Sequence, residues 1–462
     1  MALSAKFVKQ LEKIVGKDNC SVAAEDQVCY AYDATRKFYR PEAVVFPATA
    51  ADVAAVLSLA GAHGIGVTPR GAGSGMSGGA LPVKGGIAMV MTRFNRILEI
   101  DRDNFTARVE PGVITGEFQK AVAEAGLFYP PDPSSADIST LGGNLAECAG
   151  GPKAVKYGVT RDYVLGLEVV LPTGEIVHTG VQTAKGVVGY DLTRLIVGSE
   201  GTLAVIVEMT LRLVPRPETV KTLTAVFDKM DTAAAAVSEI IRRGIVPRAV
   251  EYMDKAAIGC VEQYLQAGLP TDAEAILLIE VDGTADAVDH SMKLIENSLY
   301  DQHARRVDTA GSAAEAAALW KARKSISPSL FAYGSEKINE DIVVPRSRIP
   351  DMVKKIRALS RQTGLTMVSF GHAGDGNIHF NIMFDKDDAG QRERAQYAVD
   401  AVFDYTLALG GTISGEHGVG TAKAAYMHKE IKPEALALMK RVKAAFDPAG
   451  ILNPGKMLLS GP

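Results

Sequence analysis

Two histidines and one glutamate near the C-terminal end of the chain have the residue types of a metal centre. His372 and His379 stand in FGHAGDGNIHF, where the intervening Ala-Gly-Asp-Gly-Asn is a turn signal with Asp375 as a turn former. A hairpin makes the two histidines cross-strand neighbours. Glu416 and His417 follow in a second glycine-rich loop, GGTISGEHGVG. Two histidines, one carboxylate and an open position form a catalytic metal set.

A second candidate group precedes these histidines along the chain. Trp320 to Ser327 is predicted to lie on one helix, which places Arg323 and Ser327 four residues apart on one face. The guanidinium of Arg323 presents a bidentate fork that suits a carboxylate. The alternative for this segment is a solvated helix face.

Glycine is the compositional outlier, at 45 of 462 residues, and it clusters in short loops. Gly73-Ser-Gly75-Met-Ser-Gly78 fits G-x-G-x-x-G after a predicted strand, but Gly-Ala-Leu-Pro82 follows where a Rossmann fold would begin a helix. We therefore predict a nest of main-chain N–H groups, headed by Arg70, that binds a diphosphate. Together with the glycine-rich segments 130–158 and 198–203, this nest predicts a binding site for a long dinucleotide that lies across a sheet.

The loops require strands and helices that position them. In the first half, short β-rich runs alternate with the loops, and the two prolines of GTLAVIVEMTLRLVPRP close this half. The predicted strands are 43–49, 65–69, IAMVMT, ILEID and ARVEPG, the predicted helices are 51–64 and 115–126, and 166–180 is a predicted hairpin.

The second half has a different order of elements, typical of an antiparallel sheet with helices on one face. The predicted helices are 231–243, 284–299, 312–330, 348–362 and 390–409, and the predicted strands are 248–254, 274–282, 336–344, LTMVSFGH and NIHFNIMF. The fold class is α+β. The predicted domains are 1–217 for the dinucleotide, 218–420 for substrate and metal, and 421–462 as a segment packing back on the first domain.

Four ordered motifs carry a resemblance to a known family over nearly the whole chain. TPRGAGSGMSGG, PPDPSS followed by STLGGNLAECAGG, and GSEGTLAVI resemble the two-subdomain FAD-binding domain of the vanillyl-alcohol oxidase superfamily. FGHAGDGNIHFN and SGEHGVG resemble the C-terminal domain of its branch that contains D-lactate dehydrogenase, glycolate oxidase and D-2-hydroxyglutarate dehydrogenase.

This resemblance implies FAD as the cofactor and a set of contacts to it. The first glycine loop wraps the diphosphate, and the 132–151 loop lines the flavin. Because the first loop holds no His or Cys, non-covalent FAD is expected. The implied FAD contacts are Arg70, Gly71, Ala72, Gly73, Ser74, Gly75, Ser77, Asp132, Ser134, Thr140, Gly142, Gly143, Asn144, Gly150, Tyr157, Gly158, Glu200, Gly201 and Ile206.

The resemblance also implies roles in the second half. His372, His379 and Glu416 are implied to hold a divalent metal, Zn²⁺ or Mn²⁺, and His417 faces the substrate. Arg323 and Ser327 are implied to clamp the substrate carboxylate, Lys337 assists from the next strand, and Asn381 adds a hydrogen bond.

These parts predict an FAD-dependent dehydrogenase of a small D-2-hydroxy acid, D-lactate or glycolate, in which C2 delivers hydride to the flavin. The alternatives are D-2-hydroxyglutarate dehydrogenase, which needs a second cationic contact for the distal carboxylate, and an oxygen-using glycolate oxidase. An FAD-containing ether-lipid synthase and a flavin-binding structural subunit are further alternatives.

Composition limits the class of protein and indicates the cellular compartment. The formal net charge is −4 and no long basic run is present, which excludes an electrostatic footprint for nucleic acid. The hydrophobic fraction of 47% excludes wholesale disorder. The four cysteines (Cys20, Cys29, Cys148 and Cys260) form no CxxC pair, and no signal peptide or membrane span is predicted. We expect a cytoplasmic protein.

The electron acceptor is expected to be another protein. The sequence offers no Rossmann site for NAD, no cysteine spacing for an iron–sulfur cluster and no CxxCH for haem. An electron-transferring flavoprotein, an iron–sulfur subunit or a cytochrome fits, with possible peripheral membrane association through such a partner. Direct oxidation by oxygen is the competing hypothesis.

Overall fold

The computed structural model describes residues 3–457, which divide into two units. The first unit contains the chain up to Gly150, residues 159–216 and the chain from Glu416 onward; the second contains residues 151–158 and 217–415. The division falls next to the boundary predicted at 217. It differs from the prediction in two short segments, because 151–158 belongs to the second unit and 416–420 to the first.

The first unit holds a four-stranded sheet, a five-stranded sheet and a two-stranded ribbon. Its strands are β1 (Cys20–Ser21), β2 (Ala43–Val45), β3 (Val67–Arg70), β4 (Ile87–Val90), β5 (Ile97–Asp101), β6 (Thr106–Val109), β7 (Leu127–Phe128), β8 (Val164–Val170), β9 (Ile176–Gly180), β10 (Val205–Arg212) and β11 (Val214–Pro215). Its helices are α1 (Ala5–Val15), α2 (Ala24–Cys29), α3 (Ala50–His63), α4 (Thr115–Glu124), α5 (Leu141–Glu147), α7 (Leu192–Ile196), α15 (Met427–Glu430) and α16 (Pro433–Phe446), while α6 (Ala154–Tyr157) belongs to the second unit.

The four-stranded sheet carries the first glycine loop. Its order is β1-β2-β4-β3, with β4 parallel to both β2 and β3. Helix α3 joins β2 to β3; it begins at a capping box of Thr49 and Asp52 and ends at Gly64, whose φ is +63°. Residues 71–86 then connect the parallel strands β3 and β4 without a helix. The prediction that this loop is not part of a Rossmann unit is therefore confirmed.

The second unit is built on one seven-stranded antiparallel sheet in the order β15-β12-β14-β13-β17-β18-β16. Its strands are β12 (Thr219–Phe227), β13 (Ala249–Asp254), β14 (Ala275–Gly283), β15 (Arg306–Thr309), β16 (Glu336–Val343), β17 (Thr366–His372) and β18 (Asn377–Phe384). Its remaining helices are α8 (Met230–Arg242), α9 (Lys255–Leu265), α10 (Ala285–Asp301), α11 (Ala313–Lys324), α12 (Ile326–Ser329), α13 (Ile349–Thr363) and α14 (Ala389–Ala408).

The centre of this sheet is covered on both faces, whereas the sequence predicted helices on one face. Every residue of β13 and β18 is buried, although successive side chains point to opposite faces. The near-continuous apolar run of β14, AILLIEV, already has the pattern of a strand buried on both sides. The polar side chains on these strands are therefore enclosed, and each of them needs partners.

The single helix predicted over 312–330 is two helices. Helix α11 ends at Lys324, and α12 begins at Ile326 after Ser325. Pro328 explains the break, because a proline inside a continuing helix lacks the N–H for residue 324 and its ring clashes with that carbonyl. Arg323 and Ser327 therefore lie on different helices, which corrects the prediction that they share one helix face.

The longest helix among residues 3–457 is α14, with 20 residues. None of the helices described there is long and apolar enough to cross a membrane.

Candidate functional site

The two histidines predicted as metal ligands, His372 and His379, lie on adjacent strands of the second unit that form a hairpin. In the β17–β18 register, His372 pairs with Asn377 and His379 pairs with Phe370. The histidines are therefore diagonal neighbours on one face rather than direct partners, and their Nε2 atoms are 3.3 Å apart. Both side chains are buried. Two nitrogens bound to one tetrahedral zinc at 2.0–2.1 Å would stand roughly 3.3–3.4 Å apart, so the imidazole spacing fits a shared metal ion.

Glu416 directly follows Gly415, the last residue of the second unit. The N–H of Gly415 donates to Asp341 Oδ1 at 2.6 Å, and Asp341 is the partner of His379 in the β16–β18 register. That Glu416 joins the two histidines as a metal ligand stays a prediction from the sequence. The donor set of two imidazoles and a carboxylate suits Zn²⁺ or Mn²⁺.

A buried glutamate that the sequence reasoning missed lies beside this pair. Glu251 on β13 is the register partner of His372, and its Oε1 is 2.6 Å from His372 Nδ1. Its other oxygen, Oε2, is 2.6 Å from Arg323 Nη2. Burial alone would raise the pKa of Glu251, but the adjacent His372 and Arg323 lower it below its ordinary value. The signal available in the sequence was a glutamate in the middle of the predicted strand AVEYMD, between the apolar residues Val250 and Tyr252.

Register pairs place polar residues from each of four strands on one face of the sheet. Residues directly opposite each other in an antiparallel pair point to the same side. The pairs that define this face are Glu251–His372, Phe370–His379, Asp341–His379, Asn339–Asn381 and Lys337–Met383. The sheet therefore gathers the two predicted histidine ligands, Asn381 and Lys337 on a single surface.

Two groups near this face retain unused hydrogen-bonding capacity. In the part of the chain that the structure describes, Arg323 Nε and both amide atoms of Asn381 are buried without a hydrogen-bonding partner. Each such atom costs about 1–3 kcal/mol unless a ligand or water pairs with it. The Arg323 guanidinium packs over the Phe370 ring, 4.8 Å from its centroid. Arg323 and Asn381 therefore hold buried polar atoms whose hydrogen-bonding capacity the described residues do not use.

Lys337 and Ser327 are brought together as a pair. Lys337 Nζ donates to Ser327 Oγ at 2.7 Å and lies 5.3 Å from the centroid of the Phe331 ring. Both side chains are half-buried. The lysine therefore supplies a fixed positive charge, although the helix break separates Ser327 from Arg323.

In the first unit, Arg70 braces the glycine loop from inside. Its Nη2 donates to the main-chain oxygen of Tyr32 at 2.7 Å, and its Nη1 donates to that of Ala80 at 3.4 Å. Gly73 has a φ of +72°, and a Cβ there would lie 2.2 Å from Arg70 Nη2. The guanidinium thus holds the loop main chain in a conformation that requires glycine.

The second glycine segment packs closely on the first within this unit. A Cβ on Gly71 would lie 2.2 Å from Thr140 Oγ1, and Thr140 also accepts a hydrogen bond from the N–H of Gly143. Gly142 donates its N–H to the Pro111 oxygen at 2.8 Å. Asn144 donates to Thr115 Oγ1 at 2.6 Å. Asp132 and Ser134 lie in the preceding connection between β7 and α5.

Two buried glutamates stabilise the loops around this region. Glu200 has a φ of +53°, and its two carboxylate oxygens accept the N–H groups of Val419 and Gly420, each at 2.6 Å. Its carboxylate therefore anchors the loop that carries His417. Glu147, which the sequence reasoning missed, accepts from Ser77 Oγ at 3.2 Å. Burial and the nearby Glu200 raise the pKa of Glu147 well above its ordinary value.

Two predicted FAD contacts lie in the second unit instead of the first. Tyr157 and Gly158 belong to the segment 151–158. The Tyr157 hydroxyl donates to Asp282 Oδ2 at 2.7 Å, and Lys156 also pairs with Asp282. Ile206 remains in the first unit, buried on β10 beside Val169 of β8.

Comparisons with known proteins give a consistent result. Residues 41–180 match the family described as "FAD binding domain", and residues 216–457 match "FAD linked oxidases, C-terminal domain". "Glycolate oxidase subunit GlcD" of Bacillus subtilis (strain 168) is 46% identical over 97% of this chain and 96% of its own length. "D-lactate dehydrogenase" of Anaerostipes hadrus is 35% identical over 90% of both chains.

Solved structures share the fold at low identity. A crystal structure of p-cresol methylhydroxylase with substrate bound has a TM-score of 0.84 at 20% identity, covering 98% of this chain and 96% of its own. A structure of alkyldihydroxyacetonephosphate synthase has a TM-score of 0.75 at 19% identity, covering 98% and 86%. The fold predicted from the sequence is confirmed.

Proposed function

The chain belongs to the FAD-linked oxidases, and from this membership we propose that it oxidises a small D-2-hydroxy acid, D-lactate or glycolate, to the 2-oxo acid. The relatives named for glycolate oxidase and D-lactate dehydrogenase support this substrate class. The observation that carries the proposal is the single sheet face on which two metal-ligand histidines, Asn381 and Lys337 lie together, with Arg323 against it. A hydroxyl and an adjacent carboxylate are the groups that such a face can bind.

We propose that the FAD diphosphate lies on the main-chain N–H groups of residues 71–79. FAD supplies, when bound, the acceptor for the hydride that leaves C2 of the substrate. Cys148, which follows α5 in the second glycine segment, supports non-covalent binding of FAD. Burial raises the pKa of its thiol, and a protonated thiol is a poor nucleophile. Acid precipitation should therefore release all of the FAD into the supernatant.

The proposed metal ligands are His372, His379 and Glu416, with Zn²⁺ or Mn²⁺ as the ion. The 3.3 Å separation of the two Nε2 atoms supports a shared ion. A bound divalent cation supplies Lewis-acid polarisation of the 2-hydroxyl group. The protein's part is to hold these ligands, two buried histidines and a half-buried glutamate, in a fixed arrangement that leaves room for the substrate oxygen.

Arg323 and Asn381 are proposed to bind the substrate carboxylate through their unpaired buried atoms. Bidentate or charge-assisted hydrogen bonds of this kind fix orientation as well as position. Lys337, held on Ser327, adds positive charge. D-2-hydroxyglutarate, the alternative substrate, would require another cation for its distal carboxylate.

His417 is the proposed general base that removes the hydroxyl proton. It follows Glu416 in the chain, and the next residues, Val419 and Gly420, are fixed by Glu200. An anchored loop limits the positions that the imidazole can reach, which is what proton transfer within hydrogen-bonding distance requires.

An anaerobic substrate screen tests the function. The holoenzyme is mixed with D-lactate, L-lactate, glycolate and D-2-hydroxyglutarate, and flavin absorbance near 450 nm is followed. We expect bleaching by D-lactate or glycolate and none by L-lactate. Absence of bleaching by every hydroxy acid would contradict the proposal, and bleaching by D-2-hydroxyglutarate alone would favour the alternative.

Gly75→Val is expected to abolish FAD binding without unfolding the first unit. A Cβ on Gly75 meets no protein atom nearer than 3.8 Å, so the added bulk faces the space assigned to the diphosphate. The ratio of flavin to protein absorbance measures the loss. Gly259→Val is the matched control, because a Cβ on this glycine of α9 meets no atom within 4 Å and lies outside the first unit. Normal flavin content in Gly75→Val would contradict the proposed nest.

Reduced enzyme is expected to reoxidise slowly in air, because we propose a protein acceptor. An electron-transferring flavoprotein, an iron–sulfur subunit or a cytochrome is the proposed partner. Stopped-flow mixing of the reduced enzyme with air-saturated buffer measures the rate directly. Reoxidation as fast as steady-state turnover would instead make the protein an oxidase, as in the glycolate oxidase alternative.

A further inference from the structure

Glu251 is a fully buried carboxylate at the centre of the seven-stranded sheet. Every residue of its strand, β13, is buried, and Glu251 itself has no exposed surface. An ionised carboxylate in such a place destabilises the fold unless it is paired with charged hydrogen-bond donors. Its two partners, His372 and Arg323, are the residues assigned above to the metal and to the substrate.

We propose that Glu251 is a positioning residue that orients the metal ligand His372 with one carboxylate oxygen and the substrate-binding Arg323 with the other. This inference rests on the proposed function, because it assigns Glu251 to the same metal and the same carboxylate. It adds a coupling, in which one side chain, that of Glu251, connects the proposed metal ligand His372 to the proposed substrate-binding residue Arg323.

Toward the metal, Glu251 selects the tautomer of His372. Oε1 lies 2.6 Å from Nδ1, so a proton on that nitrogen donates to the carboxylate. The lone pair of the imidazole then resides on Nε2, the atom that faces His379 Nε2. A carboxylate on the far nitrogen of a metal-bound histidine fixes the ring orientation and increases its basicity.

Toward the substrate, Glu251 fixes the plane of the Arg323 guanidinium. Oε2 holds Nη2 at 2.6 Å, and the Phe370 ring packs against one flat side of the group. A guanidinium held in this way keeps the N–H bond of Arg323 Nε in one direction. This Nε has no hydrogen-bonding partner among the residues that the structure describes. Without Glu251 the same arginine would be free to rotate about its side-chain bonds.

A second buried glutamate of the same sheet provides a matched control. Glu280 on β14 is also buried, but it accepts a hydrogen bond from Trp320 Nε1 at 2.9 Å and pairs with Arg248. Neither partner is assigned to the metal or to the substrate. Glu280→Gln therefore makes the same chemical change in the same sheet without touching the proposed coupling.

The first measurement is the affinity of the flavin-loaded enzyme for Zn²⁺, obtained by competition with a chromogenic chelator. We expect Glu251→Gln to bind Zn²⁺ about 10–100-fold more weakly than the wild type, while Glu280→Gln binds it as the wild type does. Glu251→Asp keeps the charge but cannot reach both partners, so it should also lose affinity. This second variant covers the case in which the glutamine protein does not fold.

The second measurement separates the two roles at saturating Zn²⁺. We expect the KM for the hydroxy acid to rise roughly tenfold or more in Glu251→Gln, since the buried ion pair that holds Arg323 is lost. Arg323→Gln should raise KM while leaving Zn²⁺ affinity unchanged. His372→Ala should lose Zn²⁺ binding.

The outcomes distinguish this inference from the function on which it rests. If His372→Ala loses Zn²⁺ while both Glu251 variants retain wild-type Zn²⁺ affinity and wild-type KM, the coupling is overturned and the proposed function stands. A wild-type enzyme that binds no Zn²⁺ or Mn²⁺ would overturn both. Loss in the Glu251 variants with normal behaviour of Glu280→Gln supports the coupling.

Discussion

His372→Ala is expected to lose turnover by roughly 10³-fold or more while the flavin stays bound. The reason is that Lewis-acid stabilisation by a metal ion contributes several kcal/mol to the transition state. The flavin loop belongs to the first unit and His372 to the second, so one substitution should separate the two cofactors. Metal content, flavin absorbance and steady-state rate are measured on the same sample.

Two comparisons make this result specific. Treatment of the wild type with a chelator, and Glu416→Ala, should both reproduce the effect of His372→Ala. His290→Ala is the control, because this histidine is exposed on α10 of the same unit. Full activity of a metal-free wild-type sample would show that the three residues do not form a catalytic metal site.

His417→Ala is expected to slow flavin reduction by about 10²–10⁴-fold, the range for loss of a general base. Metal content should remain at the wild-type level, because the proposed ligands are unchanged. Single-turnover reduction of the flavin under anaerobic conditions isolates this step from reoxidation. The two variants should therefore differ: His417→Ala is expected to be slow but to keep its metal, whereas His372→Ala is expected to lose both metal and turnover.

His428→Ala provides the control for His417→Ala. His428 lies in the same unit and is exposed, and its Nδ1 is 2.8 Å from the main-chain oxygen of Ala425. Partial recovery of the His417→Ala rate by added imidazole would support proton transfer at this position. A wild-type rate of flavin reduction in His417→Ala would exclude His417 as the base.

Much of the fold could be predicted because its determinants are local. Helix α3 is fixed by a capping box at one end and a left-handed glycine at the other, and both signals lie within the segment itself. The hairpin that carries the two histidines follows from the Ala-Gly-Asp-Gly-Asn turn between two apolar runs. The helix break after Lys324 is equally local, since its cause, Pro328, lies within the same segment.

The sequence by itself determined the residue types of the site, the glycine loops and the class of chemistry. Only the tertiary structure decided which residues meet. Glu251 and His372 stand 121 residues apart, and their contact depends on the pairing of β13 with β17. Likewise Tyr157 contacts Asp282, 125 residues away, in the second unit. Turns and caps depend on neighbouring residues, whereas strand order depends on how all the apolar faces are buried together, so no short segment encodes these partners.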